Sequence, residues 1–187
     1  ICPSRGLGDV YKRQLSKFIS GIDEERRAFS DDLGHSFNQT GFAIIKNHGL
    51  KKELTDELYK VIKAFFDLED EKKIKYYFPD LYGQRGYVVK GQEHAKGSKK
   101  GDLKEFFHIG NPSISNPQNI WPHEVESFNE IGSEVFITLE NIGLTLLRAI
   151  SMYLNLDINY FEDKVKGGES ILRSIHYFPL DPSDISD

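Results

Sequence analysis

An α+β fold is predicted for this chain by three observations. Several stretches repeat apolar residues every three or four positions, the spacing of amphipathic helices. Short apolar, β-prone runs lie between them, closed by glycine, asparagine or proline. A last such run, SILRSIHYFP at 170–179, stands eight residues before the chain's final residue.

From Ile22 to Gln39, Phe29, Leu33 and Phe37 recur among charges, which predicts a helix that Gly41 ends. Phe42-Ala43-Ile44-Ile45 is expected to be a buried strand, closed by the Asn47-His48-Gly49 turn. Leu50, Leu54, Leu58, Val61, Ile62, Phe65 and Phe66 predict a second helix. Glu69 to Tyr76 predicts a short third one, with acids first and lysines later, as the helix dipole favours. The glycine- and lysine-rich stretch 83–101 predicts a loop around a strand at Gly86–Val89, and DLKEFFHIG (102–110) leads into another strand. Three prolines make 111–122 a loop, with Pro122 suited to a helix's first turn. Val125, Phe128, Ile131, Val135, Leu139, Ile142, Leu146, Ala149 and Tyr153 predict a helix over about 123–154, roughly 45 Å long at 1.5 Å per residue. A short turn or helix at 159–164 and a strand at 169–178 complete the series.

Hydrophobic residues make up 39% and aromatics 12%, a globular composition unlike that of disordered chains. The net charge of −5 argues against a general nucleic-acid binder. A lone cysteine, Cys2, makes no internal disulfide and suits a reducing cytoplasm. Lys12 and Arg13 precede no apolar signal core, and no apolar stretch is expected to approach the roughly 20 residues of a membrane span. Residues 1–14 (ICPSRGLGDVYKRQ) lack periodicity and resemble peptides translated from sequencing-adapter read-through; they are expected to be non-native.

The residues assemble no recognisable catalytic centre. None of His35, His48, His94, His108, His123 and His176 has an acid two positions later, the usual mark of a facial iron triad. HExxH, cysteine clusters and a P-loop are lacking, and GQRGYVVKG lacks the strand–GxGxxG–helix setting of a dinucleotide site.

Five blocks nevertheless fall in a telling order: TGFAIIKNHGL, FFDLEDEKKIKYY, RGYVVKGQE, GDLKEFFHIG and ILRSIHYFP. Over about residues 22–180 the chain resembles the N-terminal part of the isopenicillin-N-synthase-like, non-haem iron(II) and 2-oxoglutarate-dependent oxygenases. Phe178 departs from the pattern, since proline is commoner there in bacterial members. The resemblance implies a double-stranded β-helix (jelly roll) whose barrel is incomplete in this chain. It divides the chain into the segment 1–14, an N-terminal dioxygenase region at 15–168 and the start of the barrel at 169–187. It implies iron(II) held by two histidines and an acid beyond Asp187, 2-oxoglutarate as co-substrate, O₂, a small organic substrate and a monomeric full-length enzyme, with this segment alone inactive. A 2-oxoglutarate-independent oxidase and a non-catalytic binding module are the alternatives.

Carried over by the resemblance, Tyr177 matches the tyrosine that hydrogen-bonds the distal carboxylate of 2-oxoglutarate; the alternative is a barrel tyrosine with its hydroxyl at the rim. Arg173 shares its strand, and period-two alternation puts Arg173, Ile175 and Tyr177 on one face with Leu172, Ser174 and His176 on the other. Arg173 either meets an anion or pairs with a carboxylate. His48 reads as a turn residue satisfying local backbone groups. Asp102, Lys104 and Glu105 either order the border of the site or form a solvated charge cluster, the simpler reading. Lys90, Lys96, Lys99, Lys100 and Lys104 either steer an anion or line a solvated loop, again the simpler reading.

Overall fold

In the computed structural model, residues 14–93, 101–114 and 116–179 are described. Cys2, His94, Lys96, Lys99 and Lys100 lie outside them, as do most of the adapter-like segment and the end of the expected barrel start. The chain divides into two compact units. One comprises residues up to Lys51 with Thr138–Gly168, the other Lys52–Ile137 with the residues from Glu169 onward.

The first unit holds α1 (Leu15–Ser20), α2 (Asp23–Thr40), the later part of α5 (Phe128–Tyr153) and α6 (Glu162–Val165). Three acids in α2's first turn suit its dipole, and Gly41, at φ 75°, closes it by donating its N–H to Phe37 O. Leu15, Phe18, Phe29, Leu33 and Ala149 form the core, flanked by Ile142, Leu146 and Ile150.

One expectation fails here. Residues 42–45 form no strand; the segment's sole pairing among the described residues is an isolated bridge between Gln14 and Lys46. Ala43 and Ile45 do pack on the core, but Phe42 is 81% exposed and Ile44 is also open. The run is apolar enough for a strand but has no ladder partner among the described residues, so its backbone stays irregular.

The second unit contains α3 (Lys52–Phe66), α4 (Asp70–Lys73), the start of α5, and three strands, β1 (Gly86–Val88), β2 (Lys104–Gly110) and β3 (Ile171–Tyr177). The strands form an open antiparallel sheet in the order β1-β2-β3. Phe65 centres the core: Phe66, Tyr76, Tyr87, Phe107 and Phe128 all meet its ring edge-on at centroid distances of 4.7–6.0 Å. Such pairs add about 0.5–1.5 kcal/mol each beyond the area they bury.

α5 begins at Phe128, five residues later than the apolar spacing suggests. Ser127 adopts φ 60°, which no helix continues through. The phenol of Tyr76 holds the preceding turn, accepting the His123 N–H at 3.0 Å and donating to the Glu124 carboxylate. α5 is also apolar and long enough, by length and composition alone, to cross a membrane, which corrects the sequence expectation. That expectation missed a helix whose apolar residues are separated by polar and charged ones, Glu140 and Arg148 among them. Phe128, Ile131 and Phe136 join the second unit's core and Ile142, Leu146 and Ala149 the first's, whereas Ile137 and Leu139 are exposed.

Candidate functional site

The β2–β3 register pairs Lys104 with Tyr177, Phe106 with Ile175 and His108 with Arg173, so these six side chains share one face. Glu105, Phe107 and Ile109 pair with His176, Ser174 and Leu172 on the other. The predicted alternation along β3 is therefore observed: Arg173, Ile175 and Tyr177 are exposed, and the residues between them are half-buried.

On the open face, charges alternate. Arg173 Nη2 lies 3.2 Å from Glu93 Oε1, and Lys104 Nζ lies 2.7 Å from Asp102 Oδ2 and 3.7 Å from Glu93 Oε2. Both cations cap the buried Phe106 ring, Arg173 Cζ at 4.6 Å and Lys104 Nζ at 5.3 Å. The hydrogen bond to Asp102, with the nearby carboxylates, holds the Lys104 ammonium above its ordinary pKa. Arg173 thus has a carboxylate partner, one of its two expected roles. Tyr177 is 66% exposed and lines a cavity of about 340 Å³ together with Asp102, Leu103, Lys104 and Phe178. Lys90 meets this end too, with Nζ 4.7 Å from the Phe178 ring centroid.

The opposite face corrects the reading of Glu105 as part of a solvated cluster. Glu105 is fully buried and takes three donors: Lys73 Nζ at 3.0 Å, the Tyr87 hydroxyl at 2.5 Å and His176 Nδ1 at 2.8 Å. Burial opposes the Lys73 charge, but Glu105 and Asp70 outweigh it and hold its pKa above the ordinary value. Burial, then the Glu105 hydrogen bond, push the Tyr87 phenol upward as well. A carboxylate with that many donors is a fixed anchor for the two strands.

Sequence reasoning missed two groups. His108 is buried, with Nδ1 bonded to the Gly83 carbonyl and Nε2 unpartnered, and burial lowers its pKa. Arg85 is equally buried; its Nη1 donates to Gln84 O at 2.7 Å while Nε and Nη2 find no partner. The available signal was one polar residue inside an apolar strand, FFHIG. His48 sits in the first unit, where its Nδ1 accepts the Leu50 N–H at 3.2 Å in a turn with Asn47 at φ 50° and Gly49 at φ 90°, the structural role expected of it.

Tyr177 and Lys104, which line this mainly apolar cavity, offer an O–H and N–H donors that a small carboxylate could accept. Among the described residues, no group of three or more His, Cys, Asp or Glu could hold a metal ion. The open face therefore suits a small anion.

The family profile described as the N-terminal domain of non-haem dioxygenases in morphine synthesis matches residues 13–124. The chain belongs to this family. Among relatives of this dioxygenase segment, the 2-oxoglutarate-dependent dioxygenase phqC of Penicillium fellutanum is 30% identical, covering 91% of the chain and 54% of the relative. The leucoanthocyanidin dioxygenase of Malus domestica is 33% identical, at 94% and 53% coverage. The crystal structure of a full-length Neurospora crassa protein in complex with alpha-KG superimposes with a TM-score of 0.78 at 26% identity, covering 88% of the chain and 53% of that protein. The expected fold is borne out: the neighbours are 2-oxoglutarate oxygenases of double-stranded β-helix fold, and this segment holds an α+β arrangement with an open sheet. It spans about half the length of the curated relatives it matches.

Proposed function

We propose that this segment is the N-terminal part of an iron(II)- and 2-oxoglutarate-dependent oxygenase that oxidises a small organic molecule with O₂. The observation that carries the reading is the exposed Tyr177, which lines the cavity and is paired across the sheet with Lys104, another of its lining residues. In this reading Tyr177 donates its hydroxyl proton to the distal carboxylate of 2-oxoglutarate, binding the anion without adding charge. Arg173, four residues upstream on the same face, lends positive potential to the same region by loosening its hold on Glu93. Residues elsewhere in the full-length protein would hold the iron, whose chemistry there would be the activation of O₂. The protein's own part is to orient the reactants and exclude water. We also infer a monomeric, cytoplasmic enzyme that engages neither nucleic acid nor membrane.

The test uses the full-length protein. Iron-dependent formation of succinate from 2-oxoglutarate is expected, and Tyr177→Phe should raise the KM for 2-oxoglutarate about tenfold, the size of one hydrogen bond to a charged group. Oxygen consumption without any 2-oxoglutarate would instead favour an oxidase.

A further inference from the structure

Resting on the reading of Tyr177 as a co-substrate contact, we propose that Lys104 is a second, cationic contact for the distal carboxylate of 2-oxoglutarate. Lys104 and Tyr177 are direct cross-strand partners at the end of the β2–β3 ladder, and both line the same cavity of about 340 Å³. Directly opposed residues of an antiparallel pair hold their Cβ atoms about 4.5–5.5 Å apart, so one small anion can touch both side chains. The Lys104 side chain is only 20% exposed, and its Nζ stands over the Phe106 ring, 5.3 Å from the centroid, which limits its wandering.

Of its three N–H bonds, one is directed to Asp102 at 2.7 Å, while Glu93 stands off at 3.7 Å, outside hydrogen-bond range. Donors therefore remain for an arriving carboxylate. The remaining cavity wall, Leu103 and Phe178, offers no acceptor side chain, so a carboxylate there faces donors and apolar surface, with Asp102 as the one competing charge. Asp102 has a second use: it keeps the ammonium in place when the cavity is empty. An incoming dicarboxylate then binds a cation already oriented, which lowers the ordering cost of binding.

The experiment measures binding without turnover, by calorimetry on the full-length protein loaded with manganese(II) under nitrogen. The probes are 2-oxoglutarate and 2-oxopentanoate, which has the same carbon chain and lacks the distal carboxylate. Lys104→Met should weaken 2-oxoglutarate about tenfold, as expected for a hydrogen bond to a charged group, and leave 2-oxopentanoate unchanged. Lys104→Arg, which keeps the charge, should recover most of the loss. Equal weakening of both acids by Lys104→Met would show a merely structural role and overturn the proposal. Unchanged 2-oxoglutarate binding in Lys104→Met, beside a loss in Tyr177→Phe, would also overturn it while leaving the proposed function intact. An unchanged Tyr177→Phe would overturn the reading of Tyr177 itself.

Discussion

Glu105 and His176 oppose each other across β2 and β3, and the Glu105 carboxylate accepts a hydrogen bond from His176 Nδ1 at 2.8 Å. The neighbouring pair, Lys104 and Tyr177, points the other way. A slip of β3 by one residue would turn Tyr177 toward the core and carry His176 away from Glu105. The buried acid thus fixes the register that presents the phenol.

Removing that acid's charge should be costly. Glu105→Gln leaves the Lys73 ammonium, itself buried, with only the exposed Asp70 as ionic partner. Breaking a buried pair from one side costs about 3–5 kcal/mol. The double variant Lys73→Met, Glu105→Leu removes both charges and should recover much of that loss. Urea unfolding of the full-length protein reads both, and a double variant no more stable than Glu105→Gln would refute the account.

The same network predicts alkaline sensitivity. Lys73 and Tyr87 both have folded-state pKa values above their ordinary 10.5 and 10.0. As pH rises past those ordinary values the unfolded chain releases protons that the folded one keeps, so stability falls with pH. Below about pH 10 the contribution is fully present. Denaturation midpoints between pH 9 and 11 should decline, less steeply in Tyr87→Phe.

Much of this was legible in the sequence. Three- and four-residue spacing gave α2 and α3, and period-two alternation placed Arg173, Ile175 and Tyr177 on one face, because local periodicity maps directly onto local geometry. The failures share a cause, dependence on distant residues. Glu105 looks solvated beside Asp102 and Lys104, yet its counter-charge, Lys73, comes from α4, 32 positions earlier. Phe42–Ile45 reads as a strand but needs a pairing partner that a short apolar run cannot reveal. The start of α5 depends on Tyr76, 47 residues before the His123 amide that it accepts.

Gly110 presents a sharper case. A Cβ placed there would sit 2.0 Å from Cζ of the buried Arg85, closer than any real contact. Gly110→Ala should therefore cost about 1–3 kcal/mol through overpacking. Arg85→Ala would remove the clash, so the second substitution should add less in that background than in the wild type. A double-mutant cycle on unfolding free energies tests the coupling; strict additivity would place the strain elsewhere.

His108 supplies the opposite pH dependence. Its Nδ1 faces a carbonyl, which only accepts, so Nδ1 carries the proton and Nε2 is a bare, buried acceptor. Protonating Nε2 would bury an unpaired charge, and burial accordingly lowers the folded-state pKa below the ordinary 6.5. As pH falls through 6.5 the unfolded chain takes up a proton that the folded one refuses. Stability from this group is thus present above pH 6.5 and lost on acidification. His108→Phe removes the titration and the unsatisfied acceptor while keeping a ring beside Phe106, 5.8 Å away between centroids. The variant should show a flatter stability profile between pH 5 and 7 than the wild type. An unchanged slope would mean that His108 is protonated in the folded protein, with Nε2 finding a partner.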